Sequence, residues 1–192
     1  MSRRFLRFGL TLSAALVVAG AFSVSAQQSA RAKATLAGDG ITGTVELREV
    51  DAQTAGAHDM TFMTGMKAVE ITVTVTGLTP GLHGMHLHAK PACAPPDFAT
   101  AGGHLNPGGK AHGRLNPDGP HLGDLPNLQV GRDGEARLQF AIPGVILRPG
   151  PASIGVPGSA LILHAGQDDE RSDPSGNAGP RAGCAVISVG TP

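Results

Sequence analysis

His86 and His88, in the stretch GLHGMHLH at residues 81–88, are spaced so that a strand can aim both rings at one ion, because side chains two apart on a strand share a face. Met85 and Leu87 then point the other way and can be buried. Such a pair is common without a metal, so what matters is the company it keeps. His104, His112, His121, Asp124 and His164 follow. Taken singly, each has an ordinary explanation, as an exposed loop histidine or a turn aspartate. Seven imidazole and carboxylate groups gathered on two loops and the adjoining strand ends point instead to a transition-metal centre. Imidazoles with a carboxylate favour zinc, and an all-imidazole set suits copper in a tetragonal arrangement. His121 and Asp124, three apart, suit a tight turn wrapped around one ion. His83 reads as a structural turn histidine, and Met60, Met63 and Met66 with His58 read as flexible packing rather than as a Cu(I) site.

Holding such a set needs a rigid scaffold, and the remaining sequence predicts strands. With 28 Gly, 15 Pro and neither Trp nor Tyr in 192 residues, many turns and short elements are expected. Val69, Ile71, Val73 and Val75 alternate with Glu70, Thr72, Thr74 and Thr76, the period-two pattern of a sheet with one wet face. Thr42, Thr44 and Glu46 alternate with Gly43, Val45 and Leu47 as in an edge strand. Residues 125–130 and 135–142 flank the turn at 131–134 and predict a hairpin, and residues 159–164 and 185–189 complete the set. The fold class is therefore all-β, a Greek-key barrel or sandwich. Two long Gly- and Pro-rich segments, 89–123 and 165–183, hold or border the candidate ligands, and loops of that length in a compact domain tend to be functional.

Residues 1–26 combine Arg3, Arg4 and Arg7 with an apolar run and the small-residue ending Val24, Ser25, Ala26, the pattern of a secretory signal. Residues 27–34 read as a flexible leader and 35–192 as one domain. Cleavage leaves 12 basic against 15 acidic residues, a net charge of −3, which argues against nucleic-acid or anionic-lipid partners. Export to the periplasm or the medium also suits disulfides. Cys93 and Cys184 admit one internal bridge, for which the chain-entropy estimate is roughly 4–5 kcal/mol; two unpaired core thiols are the alternative.

The motifs GLHGMHLH, GGHLNP, HLGDLPNL, LILHAG and GNAGPRAGC, in this order and spacing across roughly residues 36–189, resemble those of secreted bacterial copper,zinc superoxide dismutases. The resemblance implies a Greek-key β-barrel with two long functional loops, one copper and one zinc ion per chain, and superoxide as substrate. It implies His86, His88 and His164 as copper ligands, His104 as the histidine bridging both metals, and His112, His121 and Asp124 as the remaining zinc ligands. Arg181 matches the arginine that receives the anion, and Asp168 the second carboxylate, linking a copper histidine to a zinc histidine, here His86 and His112. Cys93 and Cys184 match the family disulfide. His104 with both nitrogens engaged would release copper when it is reduced, take up a proton, and return it to the departing peroxide. Against the family pattern, the second long loop is on the short side and acidic, with Asp168, Asp169, Glu170 and Asp173 offset by Arg171. A non-enzymatic copper buffer or delivery protein on the same fold is the competing reading, which leaves Arg181 and the zinc set without a task. A monomer and a homodimer both fit the sequence.

Overall fold

The computed structural model describes residues 29–54 and 65–189. The expected signal segment, Met60, Met63 and His58 lie outside the described residues. Among the described residues, nine strands form a curled antiparallel fold: β1 (Arg31–Gly38), β2 (Thr42–Asp51), β3 (Lys67–Thr76), β4 (Gly81–His83), β5 (Met85–His88), β6 (Leu128–Val130), β7 (Glu135–Pro143), β8 (Ser159–His164) and β9 (Arg181–Ile187). Seven of them run in the order β5-β8-β9-β1-β2-β3-β7, and β4 pairs with β6. Among the described residues the helical elements are single 3-10 turns at Ala52–Thr54 and Ala99–Ala101.

The alternation in β3 is what builds the core. Val69, Ile71, Val73 and Val75 are fully buried and meet Leu47 and Val45 of β2 on one side and Ile142, Phe140, Leu138 and Ala136 of β7 on the other. Met85 and Leu87 of β5 and Leu161 and Leu163 of β8 join the same cluster. Each such side chain removed from water stabilises the fold by about 1.5–3 kcal/mol.

Three strand expectations are corrected. The edge pattern of residues 42–47 belongs to an interior strand, since β2 lies between β1 and β3; alternation reports a wet face, not a missing neighbour. That neighbour, β1, starts at Arg31 and pairs Arg31 with Arg48, inside the segment expected to be a leader. The turn at 131–134 does not close a paired hairpin: β6 pairs with β4 and β7 with β3, so the chain changes sheets there.

Two pins hold the long loops. Cys93 and Cys184 form a disulfide with Cα atoms 5.8 Å apart, packed with Phe98, Ala160 and Ile162, which fastens the first long loop to β9. Glu49, 2% exposed, accepts hydrogen bonds from the Leu147 N–H at 3.1 Å and pairs with Arg148 at 2.8 Å, anchoring the connection between β7 and β8.

Candidate metal centre

The strands aim three of the rings. His86 and His88 leave the same face of β5 while Met85 and Leu87 enter the core, and all four are buried. β8 pairs with β5 in the register His86 to Ile162 and His88 to Ala160, and a register shift at Leu163/His164 ends the regular ladder. An irregularity of that kind re-aims the next side chain, here His164, which comes within reach of the β5 pair.

The first long loop then closes over the free edge of β5. His88 bridges His104 and His86 bridges Asp124 through isolated antiparallel contacts. The backbone bonds are Leu105 N–H to Leu87 O (2.8 Å), Leu87 N–H to Gly123 O (2.8 Å), Gly123 N–H to Leu105 O (2.9 Å) and Leu125 N–H to Met85 O (3.2 Å). Gly123 permits this approach, because a Cβ there would overlap the Leu87 carbonyl. His104 and Asp124, distant in sequence from β5, are thereby placed beside its histidines.

Two groups of donors result. His86, His88, His104 and His164 offer one ligand atom each, all within 4.8 Å of one another. His86 Nδ1, His88 Nε2 and His164 Nε2 are buried and have no hydrogen-bond partner. On the opposite side of each ring, a fixed acceptor sets the tautomer. His86 Nε2–H donates to Asp168 Oδ2 at 2.7 Å, His88 Nδ1–H to Gly102 O at 2.8 Å and His164 Nδ1–H to Gly179 O at 2.8 Å. Three buried lone pairs facing together with no proton to share fit a transition metal.

In the second group, Asp124 Oδ1 lies 3.0 Å from His104 Nδ1, 3.0 Å from His112 Nδ1 and 3.2 Å from His121 Nδ1, and the His104 and His121 Nδ1 atoms are 3.2 Å apart. A tetrahedral ion with ligands at ~2.0 Å spaces them by about 3.3 Å, close to these four separations, so three imidazoles and a carboxylate at this spacing suit zinc. His104 belongs to both groups.

Protonation favours ligation. Burial pushes His88 down to about 3 and His164 down to about 4, and it also lowers His104; these imidazoles are neutral donors at neutral pH. Burial raises the Asp124 carboxyl, but the His104 bond, the Gly113 N–H, the His112 charge and the His121 N–H outweigh it and hold it below the usual range. Asp168 is likewise lowered against burial by bonds from His86, His112 and the Glu170 N–H. Metal ligands need these protonation states.

Asp168 joins the two groups: Oδ2 accepts from His86, and Oδ1 accepts from His112 Nε2–H at 3.0 Å. What fixes Asp168 itself was not foreseen from the residues. Asn127 does so, donating to Asp168 O and accepting from its N–H at 2.9 Å each. Its place in HLGDLPNL, three after Asp124, is the one available signal. Arg181 at the start of β9 donates to Phe98 O and Gly102 O, both at 2.6 Å, so one carbonyl, Gly102 O, holds both Arg181 and His88. A cleft of about 820 Å³ opens there, lined by His88, His104, His164, Arg181 and Asp97. His83 is buried away from both groups, its Nδ1 2.8 Å from His164 O and its Nε2 2.8 Å from Thr79 O. Met66 is exposed.

Comparison with known proteins accounts for this arrangement. Residues 41–187 match the family described as copper/zinc superoxide dismutase (SODC). The chain is 45% identical over 122 residues to superoxide dismutase (Cu-Zn) 2 of Aquifex aeolicus, covering 62% of this chain and 71% of that protein. It is 38% identical over 150 residues to the Cu-Zn superoxide dismutase of Caulobacter vibrioides, covering 76% and 85%. The crystal structure of a superoxide dismutase-like protein from Bacillus subtilis superposes with a TM-score of 0.68 at 34% identity, covering 81% of this chain and 97% of that one. The chain belongs to the copper/zinc superoxide dismutase family and is an enzyme of that activity.

Proposed function

We propose that the chain converts two superoxide anions and two protons to dioxygen and hydrogen peroxide, with copper held by His86, His88, His104 and His164 and zinc by His104, His112, His121 and Asp124. The observation that carries the reading is the trio of partnerless buried nitrogens on His86, His88 and His164. Copper, when bound, supplies a one-electron couple that takes an electron from one superoxide and gives it to the next. The protein's residues do the rest. Arg181 attracts the anion into the cleft and orients it, its guanidinium held by donating to Phe98 O and Gly102 O. Asp168 keeps the His86 and His112 rings from turning, as carboxylates behind metal ligands do. His104 presents Nδ1 to Asp124 and His121, which leaves Nε2 as the atom that takes a proton and returns it to the product. The exported, oxidising setting suggested by the N-terminal signal pattern and the Cys93–Cys184 bridge makes the role antioxidant defence outside the cytoplasm.

The test is metal content and dismutation measured together on the chain from residue 27 onward, reconstituted with copper and zinc. One equivalent of each metal with fast, copper-dependent dismutation is expected. Bound metals without dismutation would overturn the reading. His104→Ala should abolish the interdependence of the two metals, and full activity in that variant would refute the shared ligand.

A further inference from the structure

We infer that Gly176, in the second long loop, is a positioning residue for the Asp168 carboxylate, and that the absence of a side chain there holds the His112 ring, and with it zinc, in place. This inference rests on the reading that His104, His112, His121 and Asp124 bind zinc.

The loop from 168 to 176 doubles back so that its end covers its beginning. Gly176 N–H donates to Ser172 O at 2.7 Å and Gly176 O accepts from Asp169 N–H at 2.8 Å, so the residue is tied on both sides and cannot swing outward. Its φ is +64°, which directs the position a Cβ would occupy straight at the hydrogen bond linking Asp168 to His112. A Cβ built there would overlap Asp168 Oδ1 and lie 2.8 Å from His112 Nε2.

Asp168 has nowhere else to go. Asn127 clamps its main chain on both sides, the Glu170 N–H donates to Oδ1 at 2.6 Å, and a Cβ on Gly84 would already stand 3.2 Å from the Asp168 Cβ. The carboxylate, 2% exposed, is caged, and Gly176 forms the wall that a side chain would push into its working oxygen. A methyl on that wall displaces Oδ1 from His112; because the carboxylate is rigid, Oδ2 then shifts against His86 as well. Loss of a partner behind a ligating histidine typically weakens metal binding about 10–100-fold.

Left-handed backbone disfavours any side chain whatever the space, so strain and clash must be separated. Gly109, in the first long loop, serves as the control: its φ is +59°, and a Cβ there meets nothing within 4 Å. The experiment measures the zinc dissociation constant by chelator competition for the parent chain, Gly176→Ala, Gly109→Ala, Asp168→Ala and the double variant Gly176→Ala/Asp168→Ala. Expected are a loss of about 10–100-fold in Gly176→Ala, a change under about twofold in Gly109→Ala, and a double variant no weaker than Asp168→Ala alone, since contacting residues are non-additive.

Parental affinity in Gly176→Ala, an equal loss in Gly109→Ala, or multiplied losses in the double variant would each overturn the inference while leaving the zinc reading intact. A parent chain that takes up no zinc would remove the zinc reading and the inference with it. If Gly176→Ala alone does not fold, recovery of folded protein in the double variant supports the inference. Failure of both while Gly109→Ala folds overturns it.

Discussion

Replacing Arg181 by Ala separates attraction of the anion from the integrity of the site. The guanidinium spans Phe98 O and Gly102 O, yet neither carbonyl is orphaned when it goes. Phe98 O still accepts from Ala101 N–H at 3.1 Å, and Gly102 O still accepts from His88 Nδ1–H at 2.8 Å. The large penalty for an unpaired buried acceptor, about 1–3 kcal/mol, therefore does not arise, and both metals should remain bound. The loss falls on the substrate instead. A unit charge about 4 Å from superoxide is worth roughly 1 kcal/mol in water and about 4 at the effective dielectric of a protein surface. Arg181 is half-buried, which puts the loss near 1–3 kcal/mol, about 5- to 150-fold in rate. Salt must discriminate further, because the Debye length falls from about 30 Å at 0.01 M to about 8 Å at 0.15 M. The parent rate should fall steeply with added salt, the Arg181→Ala rate much less. Arg181→Lys keeps the charge but offers one ammonium to two carbonyls, so it should retain the salt dependence at an intermediate rate. Stopped-flow dismutation at several ionic strengths, alongside metal analysis, gives all of these. An Arg181→Ala enzyme with the parental rate and salt slope, or one that has lost copper, would refute the reasoning.

The metal-free protein should lose stability as pH falls below 6.5, because His88, His104 and His164 have lowered folded pKa values and the unfolded chain takes up protons there that the folded chain does not; the loss begins at the unfolded imidazole pKa and ends for each ring as pH passes its folded value. Asp124 and Asp168, also lowered, add stability present above their unfolded pKa near 4 and lost as pH falls further; a melting temperature unchanged between pH 6.5 and 4.5 would contradict this. Reducing the Cys93–Cys184 bridge frees a 91-residue separation, with an upper loss of roughly 4–5 kcal/mol. Calorimetry should register that loss, and dismutation should fall with it as the loop bearing Phe98 O and Gly102 O releases Arg181. Glu49→Ala removes a buried partner of Arg148 and of the Leu147 N–H and should cost about 2–4 kcal/mol, measured by urea unfolding, with activity per bound copper unchanged.

The parts of the site written in side-chain type and period were legible in the sequence. His86 and His88 could be placed on one face because β5 repeats every two residues, Arg181 stood in the motif GNAGPRAGC, and Asp168 was reached by its place four residues after His164 in the family pattern. Strand β1 was hidden: its only buried side chains are Ala34 and Leu36, too weak a pattern to claim a strand without the pairing that β2 supplies. The turn at 131–134 misled because it fixes where the chain reverses, whereas closure of the sheets decides which strand each arm pairs with. The acceptors that orient the rings, Gly102 O and Gly179 O, are backbone atoms and carry no sequence signature. Gly176 opens the motif GNAGPRAGC, but what a side chain there would meet is seen only with the carboxylate beneath it.

Each of the three inward-facing rings is fixed by an acceptor from a different part of the chain: Asp168 at the start of the second loop for His86, Gly102 in the first loop for His88, and Gly179 at the end of the second loop for His164. Those bonds occupy one nitrogen of each ring and force the lone pair of the other into a common, water-poor space. An unpaired buried nitrogen costs about 1–3 kcal/mol, a cost that an ion taking up these lone pairs removes. Because the acceptors sit on loops closed by the disulfide and by the Asn127 clamp, loop closure and ring orientation are coupled. A metal bound by these rings therefore ties the stability of the β fold to the occupancy of its site.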